Sequence, residues 1–265
     1  MTSSHTRSLK QWTTALSIGL CALLSAMGYL IWSDSRTGKT TSTAEIEASS
    51  IRIQRDGFDD MRLAKIDELW QFESPCNMMA NEQRLSPLLD ALAPAAHQYA
   101  ASEVDLEAAG LLDTQTIIYI NETEHRIGET DLSGERRYLQ RGNTVEFTAE
   151  WVLSLVNGGV TALAQLEIFP AGLTRVTITG DSGISKVLSL AEDLALWQEL
   201  TAQQIAPWPL GEIEMNAAYK VQTVDAGGQN QSYAVYSNDS LTAVMVDDAR
   251  CAYLLPANAL PHSPS

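Results

Sequence analysis

The sequence predicts an α+β protein in which an N-terminal transmembrane helix precedes an ectodomain of mainly antiparallel sheet. Three observations support this fold class. One uninterrupted apolar segment lies near the N-terminus, over residues 12–32. From residue 51 onward, short stretches alternate apolar and polar residues and are separated by Gly, Asn and Asp turns. Leucine-rich stretches with helical spacing interrupt these strands, and a pattern of two strands and a helix occurs twice.

The apolar segment has the length and the flanks of a membrane anchor. No Asp, Glu, Lys or Arg lies between Lys10 and Asp34, and about 20 apolar residues are enough to cross a bilayer as a helix. Arg7 and Lys10 precede the segment without any acidic residue, which places this end in the cytoplasm by the positive-inside rule. Trp12 and Trp32 lie where interfacial aromatic residues are expected. The sequence therefore predicts a single-pass membrane protein whose bulk faces outward, into a periplasm or its equivalent.

Two other interpretations of this segment remain open, a cleaved signal peptide and a buried helix. A signal peptide normally has a shorter apolar region that ends in a small-x-small cleavage site. Leu24-Ser25-Ala26 matches such a site poorly, and apolar residues continue as far as Trp32. Cys21 follows a leucine, whereas a lipidation site has a small residue at that position.

The anchor divides the chain into segments of different character. They are a cytoplasmic tip and anchor (1–33), a Ser- and Thr-rich flexible tether (34–50), a first α+β unit (51–172), a second, β-rich unit (173–256) and a tail (257–265). The chain carries a net charge of −16, and because Arg7 and Lys10 are the only Lys, Arg, Asp or Glu residues before Asp34, the remainder carries −18. Such a charge argues against binding to nucleic acid or anionic lipid headgroups and is compatible with a basic protein partner.

Each unit begins with strands and continues into a helix. In the first unit, strands are predicted over 51–55, 61–66 and 69–72, with a turn at Asp56-Gly57, and Pro75 ends the third. Asn81 precedes a helix with leucines at helical spacing, which Pro94 ends. Further elements of this unit are strands over 116–120, 125–128, 137–140 and 144–147 and a helix over 150–157.

The second unit repeats the start of the first. A strand over 174–178, a turn from Gly180 to Gly183 and a strand over 187–190 follow the same order as residues 51–66. Leu196-Trp197-Gln198 then matches Leu69-Trp70-Gln71, which suggests two related units. The likeness is expected to stop after Gln204. The remaining elements are a helix over 191–204 and strands over 219–224, 233–236, 241–246 and 252–255.

These residues resemble the DUF4340 family of bacterial envelope proteins. The matching positions are Ile51-Arg-Ile, Trp70 to Pro75, the helix to Leu92, Gly110-Leu111, residues 116–120, Ile127-Gly128, Tyr138 and residues 174–178. The resemblance covers residues 51–180 well and the remainder poorly. It implies an anchor followed by repeated strand-strand-helix units, and a non-enzymatic accessory role beside ABC-type export systems of the kind associated with gliding motility. It assigns no functional residue.

Cys76 and Cys251 are the two cysteines that follow the anchor. In an oxidising compartment they could form a disulfide that ties the start of the ectodomain to its end, or they could be two separate buried thiols. The sequence leaves both arrangements open, because it does not give the distance between them.

The catalytic motifs in the chain are weak. Gly180-Asp-Ser-Gly resembles the nucleophile loop of chymotrypsin-like serine proteases, and Ala95-Ala96-His97 resembles their histidine segment, which makes Ser182 a remote candidate nucleophile. The same residues are typical of a hairpin turn, which is the favoured interpretation. The four histidines lack metal-ligand spacing, Asp247-Asp248 lacks the alternating oxygen ligands of a calcium loop, and no phosphate-binding glycine loop is present. No catalytic, metal or cofactor site is therefore predicted.

Trp208 lies between two prolines and is the candidate partner-contact residue. A rigidly held Trp can anchor a partner, although the alternative, favoured here, is that it caps the core. The leading functional hypothesis is a periplasmic accessory or scaffold protein whose partners are envelope proteins, with an ABC transporter permease as one candidate. The alternative is an envelope domain that binds a ligand in a cleft between its two units, and the remote alternative is a hydrolase built around Ser182.

Overall fold

The computed structural model describes residues 47–180, 182–247 and 249–261. The predicted anchor and residues 34–46 of the predicted tether lie outside the described residues. Within the described ranges, no helix is both long and apolar enough to cross a bilayer.

The described chain forms two antiparallel sheets with four α-helices, which confirms the predicted α+β class. The helices are α1 (Glu82–Ala91), α2 (Trp151–Asn157), α3 (Gly159–Leu163) and α4 (Ala191–Gln198). The first sheet contains β1 (Ser50–Arg55), β2 (Met61–Ile66), β3 (Leu69–Ser74), β4 (Met78–Met79), β5 (Tyr99–Ala100), β6 (Thr116–Ile120), β7 (Thr123–Thr130), β8 (Arg136–Arg141) and β9 (Thr144–Ala149). The second contains β10 (Leu173–Gly180), β11 (Ser185–Leu188), β12 (Gln204–Pro207), β13 (Asn216–Asp225), β14 (Asn230–Ser237), β15 (Leu241–Val246) and β16 (Cys251–Pro256).

The seven strands of the second sheet have the same order as seven of the nine strands of the first sheet. The first runs β4-β3-β2-β1-β6-β7-β8-β9-β5 and the second β11-β10-β13-β14-β15-β16-β12. Hairpin β10–β11 therefore corresponds to β1–β2, helix α4 to α1, edge strand β12 to β5, and the meander β13–β16 to β6–β9. The first sheet differs by adding β3 and β4 beyond β2. The likeness between the units thus continues past Gln204, where the sequence analysis expected it to stop.

The tryptophan match between the units is wrong. Trp70 lies on strand β3, whereas Trp197 lies on helix α4. Both are buried, but for different reasons: Trp70 by strand alternation with Phe72, and Trp197 by helical spacing with Leu194. The apolar pattern around Trp151 predicts a core residue, and this prediction is wrong, because the residue is 43% exposed at the start of α2.

One main hydrophobic core joins both sheets and the helices. Strand alternation directs Ile51 and Ile53 of β1 into it. Spacings of three and four residues direct Leu85 and Leu88 of α1, and Leu92 directly after α1, into it. At its centre, the ring of Phe169 packs edge-on against Trp197 and Tyr233, with centroids 5.0 and 4.7 Å apart. Burial of each such side chain contributes about 1.5–3 kcal/mol, so this core is the main source of stability.

Candidate functional site

A cleft of about 710 Å³ lies between elements of the two sheets. Strands β3 and β4 and the start of α1 form one wall, and residues of α4, β14, β15 and β16 form the other. The segment between α3 and β10 closes the cleft with Gln165, Glu167 and Phe169. Because the walls come from both units, the cleft has the position that a ligand site between the units would require.

The cleft combines an aromatic floor with an amide-rich rim. Trp70, Phe169 and Tyr253 are the aromatic residues, and each is largely buried. The rim carries five amides and two carboxylates, and none of the described lining residues is Lys, Arg or His: Asn81, Glu82, Gln83, Gln165, Glu167, Gln198 and Gln231. This lining favours neutral or cationic molecules over anions, because carboxylates repel anions and none of the described lining residues carries a positive charge.

Two of these side chains are held in defined states. Burial, together with the charge of Glu167, raises the pKa of Tyr253 to about 12, so its hydroxyl remains protonated at neutral pH. Gln198, with its amide oriented to satisfy its neighbours, accepts hydrogen bonds from the backbone N–H groups of Gly172 and Leu173, at 2.9 and 2.5 Å. The wall of the cleft therefore carries fixed hydrogen-bonding groups.

A disulfide between Cys76 and Cys251 joins the two units. The first cysteine lies between β3 and β4 and the second begins β16, with their Cα atoms 5.2 Å apart and a sequence separation of 175. Both are fully buried. Beside them, the guanidinium of Arg250 donates to the backbone oxygen of Glu73. The structure thus has the bonded arrangement, one of the two that the sequence left open.

A second polar feature is a buried cluster of His125, Arg141 and Glu146 on strands β7, β8 and β9. Arg141 Nη2 lies 2.8 Å from Glu146 Oε1, and its Nε donates to His125 Nε2 at 3.0 Å. Arg141 also donates to the backbone oxygen of Leu92. Glu146 Oε2 accepts from the backbone N–H of Ala95 at 2.8 Å. The cluster therefore fastens the segment between α1 and β5 to the sheet.

His125 is held neutral in this cluster. Its Nδ1 donates to the backbone oxygen of Thr123 at 2.9 Å, which leaves the Nε2 lone pair to accept from Arg141. Burial first, and the charge of Arg141 second, lower the pKa of His125, while the carbonyls of Thr123 and Ile118 oppose this change. Protonation would place a second cation against Arg141.

We expect this histidine to make the protein less stable in mild acid. Below a pH of about 6.5 the unfolded chain binds a proton at His125 that the folded chain does not, so the free energy of unfolding falls as the pH falls, until the folded pKa is passed. The slope is at most about 1.4 kcal/mol per pH unit. Urea unfolding between pH 7.5 and 5 should show this slope in the wild type and lose it in His125→Gln.

The matched control for this prediction is His97→Gln, since the side chain of His97 is exposed. That variant should keep the wild-type slope. If His125→Gln and His97→Gln show the same dependence on pH, His125 is not the group responsible.

Comparison with known proteins identifies no relative. No known family model, curated protein or solved structure matches this chain. The resemblance to the DUF4340 family is therefore carried by the residues given above and stays a prediction.

Trp208, the candidate partner contact, packs against the outer face of the second sheet. Its ring lies 4.6 Å from that of Tyr236, between centroids. Together they cover a small apolar cluster that includes Ala243, Ala252 and Leu254. The side chain is only partly exposed, and it packs on this separate cluster and not on the main core.

The structure does not bring the protease-like residues together. Ser182 lies in the turn of hairpin β10–β11, at one edge of the second sheet, and His97 lies in the loop that joins α1 to β5 of the first sheet. The described residues show no hydrogen bond between the two. Within the described ranges, no group of three or more His, Cys, Asp or Glu side chains could hold a metal ion.

The residues that the sequence analysis missed are the cleft amides and the partners of His125. The cleft is assembled from segments far apart in the chain, so no local motif signals it. Glu146 lies in the alternating stretch 144–147, where Val145 and Phe147 are the apolar members. Alternation correctly separates the two faces of β9. It does not reveal that the segment between α1 and β5 covers the polar face, where Glu146 lies.

Proposed function

We propose that this chain is a single-pass, membrane-anchored accessory protein whose extracytoplasmic domain acts by binding other envelope proteins, with the permease of an ABC-type transport complex as one candidate. The disulfide between Cys76 and Cys251 is the observation that carries the extracytoplasmic part of this proposal. Disulfides persist in oxidising compartments such as the bacterial periplasm and are rare in the cytosol. This compartment agrees with the orientation predicted from Arg7 and Lys10.

The titratable residues of the buried cluster stabilise the fold, which supports a role in which the protein acts by contact with other proteins. His125, Arg141 and Glu146 pair with one another and hold a segment against the sheet. The two cysteines are bonded to each other. These side chains serve the fold, and the net charge of −16 gives the protein a field that attracts basic partners.

Crosslinking of the full-length protein in cells, followed by mass spectrometry of what co-purifies from membranes, tests this function. The expected result is recovery of a transporter permease or another envelope subunit. The matched control is residues 1–46 fused to an unrelated periplasmic domain, which should not recover the same proteins. Equal recovery with the control would assign binding to the N-terminal segment and contradict the proposal for the domain.

A second candidate function is ligand binding, and the cleft between the units is the observation that favours it. Its aromatic floor, its amides and its two carboxylates suit a neutral or cationic molecule that forms several hydrogen bonds. Recovery of the chain alone in the crosslinking experiment would count for this candidate over the first. Native mass spectrometry of the same preparation would then identify a retained molecule, and an empty protein would count against it.

A further inference from the structure

Within the described residues, the hairpin edge of the second sheet lacks a strand that the first sheet has. In the first sheet, β2 pairs with β3, which runs antiparallel to it with Leu63 opposite Phe72 and Lys65 opposite Trp70. The corresponding strand of the second sheet, β11, pairs with β10 on one side and is last in the strand order. Since the two strand orders are otherwise the same, the place beside β11 corresponds to the place that β3 fills.

The other described sheet edges are short or covered. On β12, Thr161 Oγ1 accepts from the backbone N–H of Ile205 at 3.0 Å and donates to its oxygen at 3.2 Å. On β4, the backbone oxygen of Met79 accepts from Gln165 N at 3.1 Å. Strand β5 has only two residues. Among the described residues, the backbone of β11 has hydrogen-bonding partners on β10 alone, so its outward N–H and C=O groups are available to another strand.

Exposed apolar side chains accompany this open edge. Val187 on β11 is 58% exposed, and Ile184 and Leu190 on either side of the strand are 74% and 61% exposed. We name Ile184, the strand Ser185–Leu188 and Leu190 together the β11 edge. An open edge flanked by apolar side chains is the usual template for adding a strand from another protein, in which backbone hydrogen bonds give affinity and alternate side chains give specificity.

We propose that the β11 edge binds an extended segment of a partner protein as an additional antiparallel strand, in the position that β3 occupies beside β2. This inference rests on the proposed function, that the domain acts by binding other proteins. The occupant has an apolar residue at alternate positions and neither Lys nor Arg opposite Lys186, because like charges directly opposite each other destabilise a strand pair.

The acidic residues next to the β11 edge determine which end of the bound segment should be basic. An antiparallel strand brings its N-terminal end next to the C-terminal end of β11, where α4 begins with Glu192 and Asp193 in its first turn. Basic residues at the N-terminal end of the segment are therefore favoured. A second copy of this chain is disfavoured as the occupant, since each copy carries a net charge of −16.

Binding of synthetic peptides to the purified full-length protein tests this inference. The probe is a fluorescently labelled peptide of sequence Lys-Lys-Thr-Val-Thr-Val-Thr, measured by anisotropy, with hydrogen exchange followed at Ser185–Leu188. We expect saturable binding and slower exchange of the β11 amides. A peptide with Glu-Glu in place of Lys-Lys should bind at least about tenfold more weakly. A peptide N-methylated on the alternate residues whose N–H groups face β11 should be weakened to the same extent, because it can no longer donate hydrogen bonds to the strand.

A matched pair of variants assigns the binding to this edge. Val187→Lys places a charge on the β11 edge and should weaken binding by about tenfold or more. Leu132→Lys makes the same change at a fully exposed position outside the regular strands of the first sheet and should leave binding unchanged. The inference is overturned if no probe peptide binds, if both variants bind alike, if the N-methylated peptide binds as well as the unmodified one, or if the protein pairs with itself through β11. Recovery of an envelope partner without any of these peptide effects would overturn this inference alone and leave the proposed function standing.

Discussion

Removal of the disulfide between Cys76 and Cys251 is expected to cause the largest loss of stability in this protein. The bond closes a long loop, since its two cysteines have a sequence separation of 175. The chain-entropy estimate for such a loop is about 5 kcal/mol, and measured losses for native disulfides are about 2–5 kcal/mol. Since a whole domain is stable by about 5–15 kcal/mol, this one bond accounts for a large share of the total.

The measurement is urea unfolding of Cys76→Ala, Cys251→Ala and the double variant, in a Cys21→Ala background that removes the third thiol. Either single change breaks the same bond, so the three losses should be nearly equal. Reductant should destabilise the parent to a similar extent and should not affect the variants. Two independent thiols would instead give losses that add in the double variant, with no effect of reductant.

The second largest effect is expected from Glu146→Gln. This change removes the charge that faces Arg141, whose side chain is only 17% exposed, and leaves a buried cation without its counter-charge. Breaking a buried pair in this way costs about 3–5 kcal/mol. The loss should appear in urea unfolding at pH 7.5, and the segment between α1 and β5 should exchange its amide hydrogens faster, because Glu146 no longer accepts as a carboxylate from Ala95 N.

The control for this change is Glu68→Gln, which removes one partner of the exposed Lys65–Glu68 pair. That variant should unfold as the parent does, because exposed ion pairs contribute little. The double variant Arg141→Gln with Glu146→Gln should lose less unfolding free energy than the sum of the losses of the two single variants. A Glu146→Gln protein as stable as the Glu68→Gln protein would mean that the buried pair does not fasten the segment.

Local sequence pattern accounts for much of this fold. Alternation identifies the long strands, for example β6, because inward side chains of a strand must be apolar where a core covers one face. Helical spacing of the leucines identifies α1 for the same reason. Two-residue strands such as β4 and β5 carry no such pattern and are defined by their partners alone. The match of Trp70 with Trp197 fails because a short apolar motif fits a strand and a helix equally well.

The features that concern function were harder to predict, since they depend on contacts between distant parts of the chain. The bond between Cys76 and Cys251 requires a distance, and the sequence contains none. The cleft requires that residues from both units meet. The open β11 edge is visible only when the strand orders of the two sheets are compared, because the sequence of β11 is that of an ordinary strand.

The position of β1 inside its sheet determines how the domain responds to mechanical force. The described chain enters the sheet at Ser50, and β1 is flanked on both sides, by four residue pairs with β2 and five with β6. A pull on the N-terminal end of β1, directed along the strand, loads both ladders together in shear. An edge strand such as β11 has one ladder of four residue pairs, so the same pull along the strand would load fewer hydrogen bonds. Force delivered through the N-terminal segment therefore meets one of the most strongly bonded strands of the first sheet.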